Sequence, residues 1–311
     1  MRGPSGRGTR RLARTTWLFP LRSLVPAFQG ARSPPPSSAG NALSTSDGSF
    51  LPEPGLADQP STRYPSAMGD DNPDRIAPDQ SARKNSPGMP AGLFAALVVA
   101  FLALLGIGAR YCFYGDLNAI HGLLSLFFSI NLLICYWEMC LFLRRDYIEK
   151  RTLYWRRRQQ ETGRAPVGEF LFARVPLSQV LSPTLWADVW AVYSLFDGSF
   201  SDRRTFGFNV DIANGFLTPV PTLILYTAYT VDFLPAVLAG ILGVMLFWQW
   251  TYATSVYWGS FFVAKRQSRI ARAEMYAYIG AMNAPWVLFG LLGWFVSVRL
   301  ILDGNYSVLG H

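Results

Sequence analysis

The sequence predicts an all-α fold, a polytopic membrane helix bundle of about five transmembrane helices with the N-terminus inside and the C-terminus outside. Composition is the first ground. Half of the residues are hydrophobic and only 15% are charged. Residues 1–90 hold most of the Pro and Ser and no sustained apolar run, which leaves the remainder strongly apolar. Length is the second ground, because residues 91–302 contain several apolar runs that reach the roughly 20 residues needed to cross a bilayer. Charge is the third. The net charge of +8 falls in basic blocks beside the apolar runs, not over a soluble domain with stacking aromatics. The blocks therefore read as topology signals, and no nucleic-acid partner is expected.

Residues 1–90 are expected to be a disordered tail, a transit peptide or a mis-called start. Residues 1–46 contain seven arginines and no acid around WLFPL, which suits a transit peptide. Against that, 25 of the 28 basic residues are Arg, a bias that GC-rich coding also gives, and Met68 and Met89 are alternative starts. MGDDNPDRIAPDQSARKNSPGMP then reads as a short cytoplasmic leader.

The membrane domain spans 91–302, followed by a short tail over 303–311. Its five spans are expected at about 91–109, 119–143, 208–229, 234–263 and 276–302. The loop RRDYIEKRTLYWRRRQQETGR lies between the second and third spans, and AKRQSRIARAE follows the fourth. The connections at 110–118 and 230–233 carry one basic residue between them, Arg110. The positive-inside rule puts the basic loops inside. An anionic-lipid patch with Tyr154 and Trp155 at the interface is a second reading of the first loop. Residues 176–196 carry Leu177, Leu181, Leu185 and Val189 at helical spacing and read as an interfacial helix feeding the third span. Cys112, Cys135 and Cys140 have no metal-ligand spacing, so neither a metal nor a disulfide framework is expected.

Ionisable and amide side chains inside spans are costly and usually face a cavity or a partner. The second span holds Asn131 and Glu138, seven residues apart and nearly on one face. The third holds Asp211, Asn214, Thr218 and Thr222 at spacings of three and four. The fourth offers Gln249, Tyr252, Ser255 and Tyr257, and the fifth Asn283 and Trp286. At about 1.5 Å rise per residue, Glu138, Asp211 and Asn283 all lie roughly 5 to 12 Å below the inner interface. They are expected to share one site.

Bland roles compete for several of these residues. Thr218 and Thr222 suit interhelical hydrogen bonds, and Tyr257 suits packing. Asp211 could cap its helix or pair with Arg203 or Arg204. The two acids at one depth, without an obvious buried cation, favour a functional cavity. A transporter is set aside because no inverted repeat or pair of broken helices is legible.

The segment from Trp190, which reads as an interfacial run with Asp197, Asp202, Arg203 and Arg204 at the membrane surface, carries further spacing. Tyr193 follows at three, Asp197 at seven, Phe200 at ten, Phe206 at sixteen and Asp211 at twenty-one, then Pro221. This pattern resembles the EXPERA domain, most closely the emopamil-binding protein family of sterol isomerases. MNAPWVLFGLLGWF from Met282 is similar to that family's Met-Asn-Ala-x-Trp run and includes Asn283 and Trp286. The resemblance covers about residues 119–300. Two positions depart from it: Ile134 stands where the family has a histidine, and Asp211 stands where it has a glutamate.

The resemblance implies an intramembrane acidic cavity for a sterol or other amphiphilic lipid, and isomerisation of a sterol double bond through a carbocation, without a cofactor. Glu138 and Asp211 would be the catalytic acids, with Asn283, Trp286, Asn214, Asn131 and Tyr252 binding the ligand. In a dry cavity one carboxyl can keep its proton while its neighbour stays charged, as proton transfer to and from an alkene requires. The alternative is a member that binds sterols or amphiphiles, or stabilises a partner, without catalysis. A homodimer is compatible with either. The membrane is expected to be the endoplasmic reticulum in a eukaryote or the plasma membrane in a bacterium.

Overall fold

The computed structural model describes residues 88–310, so the expectations for residues 1–87 lie outside the described residues. Residues 88–90, expected to close the N-terminal tail, instead form a short strand, β1 (Gly88–Pro90). It pairs antiparallel with β2 (Arg174–Pro176), Met89 standing opposite Val175. Apart from that ribbon the described chain is built of helices.

Four helices are long and apolar enough to cross a membrane. They are α1 (Ala91–Tyr114), α2 (Ala119–Leu143), α8 (Ala236–Val263) and the continuous segment 272–303, which ends in α9 (Ala284–Asp303). These are the expected first, second, fourth and fifth spans. The expected third span consists of two consecutive helices, α6 (Phe206–Leu217) and α7 (Pro219–Val231). Pro219 and Pro221 lack the N–H groups that would bond the Gly215 and Leu217 carbonyls, so the helix breaks at Thr218. Neither half is long enough to span alone.

Segment 272–303 is interrupted as well. Met275–Ala281 forms a π-helix and Pro285 lies in the first turn of α9. The Met282 N–H bonds back to Ala277 and the Asn283 N–H to Gly280. The carbonyls of Tyr278 and Ile279 are thereby left for side chains. Two interrupted helices are thus present where the sequence had suggested none.

The region expected as a basic loop and an interfacial helix is a packed layer. It comprises α3 (Arg145–Thr162), α4 (Val167–Phe172) and α5 (Pro183–Tyr193). Ser182 is extended and Pro183 starts α5, so the helix begins later than the leucine spacing suggested. Leu177 and Leu181 are exposed, while Leu185, Trp186, Ala187, Asp188 and Trp190 are buried. This segment is therefore a wall of the fold, not a helix resting on the surface. Asp188 ties it down. Its carboxylate accepts from Arg151 Nε at 2.8 Å, Trp155 Nε1 at 3.2 Å and the Tyr147 hydroxyl at 3.2 Å. Trp155 is accordingly buried, not dipped into an interface.

Two groups of buried side chains fill the bundle. One gathers Trp155, Trp186, Trp190 and Phe200, and the other Phe127, Phe128, Phe247 and Trp250. In the second, Phe127 packs edge-on to Trp250 at 5.3 Å and stacks on Phe289 at 5.2 Å, arrangements that suit the aromatic quadrupole. Small residues let the helices close up, since association in lipid depends on packing. A Cβ on Gly243 of α8 would lie 2.1 Å from Ser297 Oγ of α9. A Cβ on Gly215 of α6 would lie 2.7 Å from Glu138 Cβ and 2.9 Å from the Met139 nitrogen of α2.

Candidate functional site

A cavity of about 140 Å³ lies where the two aromatic groups meet. It is bounded by α2, α5, α6, α8 and the turn leading into α9. Glu138, Asp211, Asn214, Asn283 and Trp286 all line it. Five of the seven expected site residues, from three expected spans, therefore come together.

Each polar member is held differently. Glu138 is buried, and its Oε2 accepts from Asn214 Nδ2 at 2.6 Å. Asn214 Oδ1 accepts in turn from Trp250 Nε1 at 3.0 Å and from the Thr218 hydroxyl at 3.2 Å. Asp211 has no hydrogen-bond or ion-pair partner among the described residues and lines the same cavity. Neither alternative suggested for it holds. Arg203 pairs with Asp146 and Glu149, and Arg204 pairs with Asp202. The Arg204 side chain and backbone amide hold the Asp202 carboxyl below the usual carboxylate range. The helix start is capped by Thr205, whose hydroxyl accepts from the Phe208 N–H, leaving no capping task for Asp211.

Trp286 lines the cavity while its Nε1 donates to Asn131 Oδ1 at 3.0 Å. Asn131 does not itself line the cavity. Fully buried, it also reaches Thr222 Oγ1 at 3.4 Å. Its place is behind Trp286, as the anchor of that ring, which corrects its expected ligand-contacting role. Tyr252 is a larger correction: it is 56% exposed, stacks on Trp248 and does not line the cavity. On α8 the lining positions are Gln249, Trp250, Ala253, Thr254 and Tyr257, and residue 252 points away from that face.

Sequence reasoning passed over two tyrosines. Tyr193 and Tyr257 both line the cavity, and their hydroxyls are 3.4 Å apart. Tyr193 had served only as a spacing mark and Tyr257 had read as packing. Asp197, expected at the membrane surface, is fully buried beneath them. It accepts from Tyr257 at 2.9 Å and from Arg266 Nη1 at 2.7 Å and 2.8 Å.

The wall is therefore aromatic and acidic. Trp137, Trp190, Phe200, Trp250 and Trp286 surround two carboxyl groups, and no Arg, Lys or His is among the lining residues. Such a surface favours a positive charge, through the carboxylates and the faces of the rings. Ile134 also lines the cavity. No group of His, Cys, Asp and Glu suited to a metal is present among the described residues. Comparison of the chain with models of known protein families, with characterised proteins and with solved structures finds no match to any of them.

Proposed function

We propose that this membrane protein takes the ring portion of a sterol or related amphiphilic lipid into the cavity and moves a ring double bond by protonation and deprotonation. One observation carries the reading: two carboxyl groups, Glu138 and Asp211, line one aromatic cavity without a cationic side chain among its lining residues. The EXPERA-like spacing around Trp190 and Asn283 supports the same substrate class. Size is compatible, since about 140 Å³ is close to the roughly 150 Å³ that accepts a benzene ring. One ring would enter while the rest of the ligand stays in the bilayer.

In the conversion of a Δ8 to a Δ7 sterol, a proton added at C9 leaves a cation at C8, and loss of the C7 proton completes the shift. Glu138, oriented by Asn214, donates the proton to the alkene. Asp211, without a hydrogen-bond or ion-pair partner among the described residues, stabilises the cation and takes the departing proton, which then passes back to Glu138 within the cavity. Trp286 offers its ring to the positive charge, its edge fixed by Asn131. In this reading residues 206–231 make the third of five crossings, the N-terminus is inside, the C-terminus is outside, and the bilayer is the endoplasmic reticulum or a bacterial plasma membrane.

The test is conversion of Δ8 sterols by purified protein in lipid nanodiscs, with products separated by gas chromatography. Glu138→Gln should lower the rate by about 100-fold or more, as loss of general acid catalysis implies. Equal rates in the two proteins would remove Glu138 from the mechanism.

A second reading has its own observation. Ile134 occupies the wall where the resemblance would put a histidine, which favours binding without turnover. Binding of a cationic amphiphile that Asp211→Asn abolishes, with no sterol converted, would select it.

A further inference from the structure

The mechanism leaves unused a buried chain of groups that begins at the cavity and ends at an ion pair. Asn283 Nδ2 lies 3.0 Å from the Tyr193 hydroxyl, 3.2 Å from the Tyr278 carbonyl and 3.0 Å from the Ile279 carbonyl. The opposite amide orientation would set Oδ1 against two carbonyl oxygens, so both amide hydrogens face the protein. The carbonyl oxygen of Asn283 is thus left for the cavity that this residue lines.

The hydroxyls follow from the same accounting. Asp197 is held by both contacts from Arg266 and by the Ser199 N–H at 3.0 Å. Its side chain is fully buried. An ionised carboxylate only accepts, so Tyr257 spends its one hydrogen on Asp197. Tyr193 accepts from Asn283 and spends its own hydrogen on the Tyr278 carbonyl at 3.1 Å or on Tyr257. Neither tyrosine has a hydroxyl hydrogen left over for a ligand. In low-dielectric surroundings such chains keep a common direction.

We propose that Asp197, clamped by Arg266, is a positioning residue that sets the polarity of this wall. Through Tyr257 it fixes the direction of the two tyrosine hydroxyls, so that these hydroxyls and Asn283, whose amide the Tyr278 and Ile279 carbonyls hold, offer a ligand only acceptor oxygens. The inference rests on the cavity reading above and adds a residue about which that reading says nothing. An amide at position 197 offers hydrogens as well as an acceptor, which frees Tyr257 to turn round and Tyr193 with it, and so changes the hydroxyl to which the Asn283 amide donates.

The experiment has a ligand-free readout. In nanodisc samples labelled with nitrogen-15, the side-chain amide signals of Asn283 are assigned by their loss in Asn283→Asp. Asp197→Asn and Tyr257→Phe should each move or broaden them, and Asp197→Glu, which keeps an acceptor, should return them to the wild-type position. Tyr257→Phe removes a single oxygen and guards against a folding defect at position 197. Unchanged Asn283 signals in both Asp197→Asn and Tyr257→Phe would overturn the proposal.

Binding supplies the second readout, with a ring-nitrogen sterol carrying a protonated amine and its all-carbon counterpart as the probes. The preference for the charged probe should fall about tenfold, or 1.4 kcal/mol, in Tyr257→Phe. Equal weakening of both probes would mean a merely structural role and would also overturn the proposal. If the amide signals respond as expected while neither probe binds wild-type protein, the positioning role stands and the sterol reading fails.

Discussion

Glu138 on α2 accepts a 2.6 Å hydrogen bond from Asn214 on α6, and both side chains are buried. The same amide joins Trp250 and Thr218 through its oxygen, so one side chain links three helices beside the cavity. Asn214→Leu leaves Glu138 and the Trp250 N–H without that partner. A loss of about 1–3 kcal/mol is expected for each buried group left unpaired, and denaturation of the detergent-solubilised variant should show it. Stability within about 0.5 kcal/mol of wild type would mean the network contributes little.

The close approach behind Glu138 gives a second expectation. A Cβ at Gly215 meets the Glu138 Cβ and the Met139 and Cys135 backbone atoms at 2.7 to 3.0 Å, whereas a Cβ at Gly108 meets nothing within 4 Å. Gly215→Ala must push α6 from α2 and should cost about 1–3 kcal/mol, as overpacking does. Gly108→Ala, in open space on α1, should be neutral or stabilising by up to about 1 kcal/mol. Thermal unfolding of the two variants side by side measures the contrast. A larger loss at Gly108 than at Gly215 would contradict the packing described.

The cavity was legible where cost in lipid made residues conspicuous. Glu138, Asp211, Asn214, Asn283 and Trp286 stood out because polar groups on apolar spans need a reason, and their depths agreed. Tyr252 was misread because a helix that is apolar nearly all round has no periodicity to say which side faces inward. Its neighbours Gln249 and Tyr257 line the cavity. Asp197 looked superficial beside Asp202, Arg203 and Arg204, and only Arg266, 69 positions later, makes its burial affordable. The π-helix had no sequence signal beyond Pro285, although the carbonyls it leaves are what hold Asn283.

Tyr252 and Trp286 should separate cleanly in function. Tyr252 is 56% exposed and packs on Trp248 away from the cavity, so Tyr252→Ala should leave ligand affinity within about twofold. Trp286→Ala removes a lining ring and should weaken a cationic probe by about tenfold or more, the scale of a desolvated cation–π contact. Titration of both variants with a fluorescent ammonium amphiphile gives the comparison. A strong effect at Tyr252 with none at Trp286 would mean the ligand binds elsewhere.

The ion pair between Arg151 and Asp188 answers to a different rule. Asp188 accepts from Arg151, Trp155 and Tyr147, and both members of the pair are buried. Removing one partner strands the other in the layer formed by α3 and α5. Asp188→Asn or Arg151→Met alone should cost about 3–5 kcal/mol. The double variant Arg151→Met, Asp188→Leu leaves no unpaired charge and should recover much of that loss, because desolvating the pair offsets most of what its attraction contributes. Since α5 carries Trp190 and Tyr193 into the cavity wall, the single variants should also lower ligand affinity in parallel with stability. A double-mutant cycle on unfolding free energy, with ligand affinity followed alongside, tests both parts. Losses that simply add would show that the two residues act independently and that α5 is held by its apolar packing alone.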